Sequence, residues 1–165
     1  AGKEVITIYY EDKLVKGTSG LLYKPDKLVA DVLNDDVEGL IICGGWFGVI
    51  REELIELIRK LDSQNKLLAG ICGAGTFFLA SAGVLDKVSY TTPVTNWTKK
   101  HIEIFGSKDP FPRENYIEKR VVVDKNVITA LGTAFIDFAV EICSWLQLFE
   151  SEKEKECFIQ LYTGL

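Results

Sequence analysis

The chain has 165 residues, 47% of them hydrophobic and 26% charged, and its 24 acidic against 19 basic side chains leave a net charge of −5. That length supports one domain with a sizeable core. The negative balance argues against a nucleic-acid partner, because no basic stripe is available to neutralise phosphates. No apolar run approaches the length needed to cross a bilayer, and no signal-peptide pattern opens the sequence. We therefore expect a cytoplasmic protein with neither a membrane nor a nucleic-acid partner. The four cysteines stand at 43, 72, 143 and 157, none in C-x-x-C spacing, beside a single histidine, His101. Reduced thiols are expected rather than a disulfide framework or a zinc site. With no methionine and Ala1 in first place, we expect the natural start to lie further upstream.

Residues 3–10 are β-branched and aromatic and predict a strand. Residues 14–16 and 21–24 flank Gly17-Thr18-Ser19-Gly20, the pattern of a small hairpin. Pro25 and Asp26 open a one- or two-turn segment through Val32. Residues 38–43 read as a second core strand, ending in Gly44-Gly45. Over 49–61, Ile50, Leu54, Leu57, Ile58 and Leu61 share one helical face, while Arg51, Glu52, Glu56 and Lys60 lie largely away from it.

Residues 67–72 form a short apolar run that ends in Cys72. Gly73, Ala74 and Gly75 follow, and then a helical pattern that Gly83 stops. This is a buried strand turning sharply into a helix with a thiol at the corner. Such a turn crowds its own backbone, so near-absent side chains are needed around it. Thiols at helix N-termini are favoured as thiolates, which makes Cys72 a candidate nucleophile or redox centre. The competing reading, a small buried core cysteine, does not account for the glycines around it.

Residues 87–91 read as a further strand that Pro93 interrupts. Residues 95–105 read as a helix capped by Thr95 or Asn96, and 106–115 as a loop with Pro110 and Pro112. Residues 116–123 and 127–131 flank Asp124-Lys125-Asn126 and predict a hairpin. Gly132-Thr133 leads into a long apolar helix over 134–149, followed by a charged terminal helix over 151–162. On that last helix Cys157, Phe158, Leu161 and Tyr162 fall on the apolar side, and 150–156 on a solvated one. Alternating strands and helices give a single α/β domain over 1–165 with a mostly parallel sheet. Three small-residue turns, Cys43-Gly44-Gly45, Cys72-Gly73-Ala74-Gly75 and Leu131-Gly132-Thr133, end three strands. They are expected to converge on one sheet edge, where such folds bind ligands.

The other candidates weigh less. Cys43 as a resolving thiol for Cys72 is outweighed by simple packing. Cys143 and Cys157 read as packing residues, and His101 as part of a surface helix with Lys99 and Lys100. Trp46, Phe47 and Trp97 are open between pocket lining, core and dimer contact. The elbow does not match a dinucleotide loop, since Cys72 takes the place of the second glycine.

Three stretches carry a resemblance: the turn 41–46 (IICGGW), the elbow 69–85 (AGICGAGTFFLASAGVL) and the late hairpin and helix 116–142. Together they resemble the DJ-1/PfpI family of the class I glutamine amidotransferase-like superfamily, and its bacterial stress-related branch in particular. The resemblance implies a flavodoxin-like three-layer sandwich, a homodimer and no cofactor. It also implies a reactive Cys72 with an oxyanion pocket made by the backbone N–H groups of Gly45 and Gly73. The function it implies is stress-related, on small carbonyl or amide substrates. The alternatives are a non-enzymatic oxidation sensor and a degenerate dimeric binding module.

Two departures bear on this. Amidotransferases and peptidase-like relatives place a histidine directly after the cysteine, where this chain has Gly73. Others carry one after the elbow helix, where this chain reads Ser89-Tyr90-Thr91-Thr92-Pro93. The family's first strand-helix unit, with its glutamate, is also absent between Ala1 and Leu165. We expect an upstream unit, or another segment, to fill its place in the sheet. Direct pairing of 3–10 with 38–43 would defeat that expectation.

Overall fold

The structure, a computed structural model, describes residues 2–17, 19–46, 48–106 and 108–164. Its first elements are short. The strands β1 (Ile8–Tyr9), β2 (Val15–Lys16), β3 (Leu22–Tyr23) and β4 (Lys27–Leu28) precede a single turn of helix, α1 (Val29–Val32). β1 runs parallel to β4, and β2 pairs antiparallel with β3 as the expected hairpin. Thr18, in the turn of that hairpin, lies outside the described residues.

The main sheet has four strands: β5 (Gly39–Ile42), β6 (Leu67–Ile71), β7 (Val121–Asp124) and β8 (Val127–Ala130), in the order β5-β6-β8-β7. β5, β6 and β8 are parallel, and β7 closes one side antiparallel to β8. The two-residue turn between β7 and β8 places Lys125 at φ 53. Asn126 fastens that turn, its side-chain N–H groups reaching Asp62 at 3.2 Å and the Lys66 carbonyl at 3.0 Å.

Helices cover both faces. α2 (Glu52–Ser63) and α3 (Cys72–Ser81) pack on one, where Leu57, Ile58, Leu61, Leu68, Leu79 and Val127 are buried together. α5 (Phe135–Trp145) packs on the other through Phe138 and Ile142 against Leu67, Ala69, Ile128 and Ala130. β6 is thus buried on both faces, so its side chains are apolar on both, with no alternation. Each of its two leucines, Leu67 and Leu68, removes about 1.5–3 kcal/mol of apolar surface from water. This is the expected three-layer, flavodoxin-like α/β arrangement with a mostly parallel sheet.

Several expectations are corrected. Residues 87–91 do not form a strand. A 3₁₀ turn spans Val84–Lys87, and Tyr90 makes one isolated bridge to Tyr116. The Thr91 N–H, which a ladder would use, instead donates to the Thr129 hydroxyl at 2.9 Å. The helix expected over 95–105 is α4 (Lys99–Phe105), preceded by Thr98, whose N–H donates to His101 Nδ1 at 3.1 Å. α6 (Glu152–Thr163) ends the described chain, capped by Ser151, which accepts the Glu154 N–H at 3.2 Å. Its face is less buried than its apolar pattern implies. Phe158 packs on Phe149, but Cys157 is exposed and Leu161 is 76% exposed. Cys43 is exposed too, rather than packed, while Cys143 is half-buried.

The outer edge of β5 has no partner strand among the described residues. In a parallel ladder a residue's N–H and C=O point the same way. Glu38 C=O accepts from Leu67 N–H at 3.1 Å, so Leu40 and Ile42 face β6 while Gly39, Ile41 and Cys43 face outward. The segment 3–10 is not paired there. Side chains tie its two ends to the rest of the fold: Lys3 Nζ meets Glu38 at 2.6 Å, and the Arg51 guanidinium sits 4.7 Å from the Tyr10 ring. The sheet is therefore not closed up. On the face shared with α5, Ile41 is 46% exposed.

Candidate functional site

β6 runs straight into α3 with no loop between them. The change of direction is taken by Cys72 alone, at φ 63, a left-handed conformation that a side chain disfavours by about 1–2 kcal/mol. The surrounding glycines make this possible. A Cβ on Gly70 would lie 2.7 Å from the Gly75 carbonyl oxygen, and one on Gly75 would lie 2.7 Å from that of Ile42. β5, β6 and the start of α3 therefore approach more closely than any side chain permits.

The three small-residue turns converge as expected. A Cβ on Gly44, after β5, would sit 2.7 Å from Cys72 Cβ. One on Gly132, after β8, would sit 3.0 Å from Cys72 Sγ. Gly45 and Gly73 are brought side by side, since the Gly45 carbonyl accepts the Ala74 N–H at 3.0 Å. That bond fastens the turn after β5 to the first turn of α3. Gly73 is buried, and Gly45 and Cys72 are half-buried.

Cys72 opens into a cleft of about 580 Å³. Its walls come from the segment after α3, through Thr92 and Thr95, from Tyr116, Glu118, Lys119 and Arg120 ahead of β7, and from Gly132 and Thr133. These walls are held from behind. Thr91 Oγ1 donates to the Lys119 carbonyl at 2.7 Å, and Leu131 N–H donates to that of Arg120 at 2.9 Å. Arg120 crosses to Asp137 at 2.8 Å, tying the wall to the first turn of α5. On the far side, Thr76 Oγ1 bonds the Cys72 carbonyl at 2.7 Å and Thr92 Oγ1 at 2.8 Å. Among the described residues no three His, Cys, Asp or Glu side chains cluster as metal ligands.

His101 does not line the cleft. Its ring is stacked between Trp97, at 5.3 Å and 23°, and Trp46, at 6.5 Å and 15°, and its Nδ1 is engaged by Thr98. Trp97 continues into Phe77 and Phe111, so it belongs to the core. Trp46 caps the stack, 51% exposed, with Lys100 Nζ 5.7 Å from its ring. Phe47 lies outside the described residues. Cys43 follows β5 on its outward-facing backbone register, and burial pushes the Cys143 thiol up from its ordinary value on α5. Glu118, Lys119 and Arg120 were not singled out from the sequence. The strand expected over 116–123 starts only at Val121, and the three residues ahead of it line the cleft with Cys72.

The sequence profile of the DJ-1/PfpI family matches residues 1–144. Among curated proteins, the chain is 35% identical over 128 residues to "Protein DJ-1 homolog A" of Arabidopsis thaliana, covering 70% of this chain and 29% of that protein. It is 27% identical over 153 residues to "Uncharacterized protease YoaZ" of Bacillus subtilis, covering 90% and 69%. The chain thus spans less than a third of the plant protein. Among solved structures, DJ-1 superfamily protein Atu0886 of Agrobacterium tumefaciens superposes with a TM-score of 0.75 at 29% identity, over 98% of this chain and 85% of that one. Oxidized DJ-1 of Toxoplasma gondii shares the fold, with a TM-score of 0.76 at 22% identity over 97% and 83%. With its elbow, its converging turns and a family match across most of its length, the chain belongs to the DJ-1/PfpI family.

Proposed function

We propose that Cys72 is the reactive group of a cytoplasmic, homodimeric stress-related protein that captures small electrophilic carbonyl compounds. The observation that carries this is Cys72 held at φ 63 with its sulfur opening into a cleft of about 580 Å³. Backbone strain of this kind persists only where the surroundings impose it, and it gathers at reactive sites. In the proposed step the Cys72 thiolate adds to the carbonyl carbon. A C–S bond forms, and the C=O π electrons move onto oxygen. The alkoxide is held by the Gly45 and Gly73 N–H groups and then takes a proton from water, giving a hemithioacetal. Amide cleavage fits less well. The leaving amine needs a proton donor, and with no imidazole in the cleft that role would fall to Glu118, Tyr116 or Lys119.

The same cysteine beside the turns of Gly45 and Gly73 also fits a second reading, an oxidation sensor whose oxidised sulfur those N–H groups would stabilise. There the thiolate attacks a peroxide oxygen, the S–O bond forms as O–O breaks, and hydroxide leaves, so that sulfur is oxidised by two electrons. One comparison separates the readings. The protein and Cys72→Ala are treated with dilute peroxide and, separately, with a reactive aldehyde, and mass and turnover are followed. Aldehyde adducts or turnover lost in Cys72→Ala support carbonyl capture. Oxidation confined to Cys72 without aldehyde chemistry supports the sensor. A Cys72 inert to both reagents overturns both.

A further inference from the structure

We propose that Thr76 and Thr92 are positioning residues whose hydroxyls form a directed chain, Thr92 to Thr76 to the Cys72 carbonyl. The chain holds the cysteine in its left-handed conformation and ties it to the wall of its own cleft. The proposal rests on the reading of Cys72 as the reactive group.

Both threonines are fully buried, so their hydroxyl protons need acceptors within the protein. The Thr92 oxygen accepts the Val94 N–H at 3.2 Å; Pro93 has no N–H to offer, so the turn closes one residue later. The remaining partner of the Thr92 hydroxyl is Thr76 Oγ1, at 2.8 Å. A hydroxyl donates one proton. If Thr92 donates to Thr76, then Thr76 donates onward, and its nearest acceptor is the Cys72 carbonyl at 2.7 Å, with that of Gly73 at 3.2 Å. Only this direction satisfies every buried donor.

A threonine inside a helix commonly bonds the carbonyl four residues back. Two features set this one apart. The carbonyl belongs to the strained residue at φ 63, and the hydroxyl is itself held by a residue from a different segment. That residue, Thr92, also lines the cleft. The far end of the chain that positions Cys72 thus lies directly behind the wall of its cleft. Without the chain, the carbonyl of Cys72 keeps only its helical bond from the Thr76 N–H. The residue then relaxes towards an ordinary backbone conformation that swings the sulfur away from Gly132.

The test uses Thr92→Val, which keeps the shape and removes the hydroxyl, and Thr92→Ser, which restores it. Thr129→Val serves as the comparison. Thr129 is equally buried, and its oxygen accepts the Thr91 N–H at 2.9 Å, but it is not joined to Cys72. Cysteine is labelled with ¹³C, and the Cys72 signal is assigned with Cys72→Ser. In Thr92→Val we expect the Cys72 signal to move while those of Cys43, Cys143 and Cys157 stay in place. We also expect alkylation of Cys72 by iodoacetamide to slow about tenfold. Thr92→Ser should restore both readouts, and Thr129→Val should change neither. A Thr92→Val protein with wild-type signal and rate overturns the proposal. So does a Thr129→Val protein that shifts Cys72 equally. Should Thr92→Val not fold, the Thr76 and Thr92 hydroxyl protons of the wild-type protein decide it: slow exchange and a cross-peak between them support the chain, and fast exchange overturns it. A wild-type Cys72 that reacts with nothing defeats the functional reading alone, because the ¹³C signal still reports the positioning.

Discussion

Gly75→Ala sets two effects of opposite sign against each other. Gly75 lies in the first turn of α3, where helix propensity alone favours alanine by about 1 kcal/mol. Its Cβ, however, would stand 2.7 Å from the Ile42 carbonyl oxygen and 3.2 Å from the Gly70 carbonyl carbon. Both are main-chain atoms of central strands, so neither can rotate aside. To relieve the overlap, α3 must lift off β5 and β6 by several tenths of an ångström, in a layer packed like a crystal. Overpacking of this kind costs about 1–3 kcal/mol. Because the obstruction is backbone on two sides, the upper part of that range applies, and the net effect is a loss of about 1–2 kcal/mol. For a chain of this length that lowers Tm by roughly 2–8 °C. Thermal unfolding followed by far-UV circular dichroism measures it, with a urea midpoint as a second probe. A Tm equal to or above wild type would show that propensity wins. The close approach of α3 to the sheet would then not be what the glycine serves.

Gly132→Ala is the counterpart at an exposed position. Its Cβ meets Cys72 Sγ at 3.0 Å, so Tm should hold within about 1 °C while alkylation of Cys72 slows about tenfold; an unchanged rate would place the sulfur elsewhere. At the open edge of β5, amide hydrogen exchange should alternate. Ile41 and Cys43 face outward and should exchange at least about a hundredfold faster than Leu40 and Ile42, a difference of roughly 3 kcal/mol in opening free energy. Equal protection along β5 would mean that a strand from elsewhere covers the edge. Burial pushes the Tyr90 hydroxyl up to about 12 from 10.0. Below pH 10 both folded and unfolded chains hold this proton. Between about 10 and 12 only the folded chain keeps it, so stability falls as pH rises through that window and levels off above it. The tyrosinate absorbance of wild type minus that of Tyr90→Phe should show a step near 12, and a difference step near 10 would refute the burial.

Much of the fold was legible in the sequence because its signals are local. The unbroken apolar run of β6, the five aligned side chains of α2 and the turn between β7 and β8 each follow from steric and hydrophobic preferences within a dozen residues. The elbow was legible for the same reason: a thiol between a buried strand and a helix, ringed by glycines, has few bland explanations. The expectations that the structure corrects depended on neighbours. Residues 87–91 carry strand-forming side chains, yet the Thr91 N–H goes to Thr129 and its hydroxyl to Lys119. Cys157 and Leu161 follow an apolar helical stripe, but α6 packs on α5 and, through Phe158, on Phe149, and both residues stay exposed.

The sequence by itself determined the alternation of strands and helices, the identity of the cysteine and the need for small residues around it. Those are properties of the backbone and of adjacent residues. Only the tertiary structure decided what surrounds the sulfur. Residues 118–120 reach Cys72 because β7 and β8 join the sheet beside β6. His101 is held away from the cleft in a stack between the Trp46 and Trp97 indole rings. Thr92 meets Thr76 across sixteen residues because both are buried and each needs a partner there. Such pairings arise from packing and from satisfying buried polar groups, and neither is written in local periodicity.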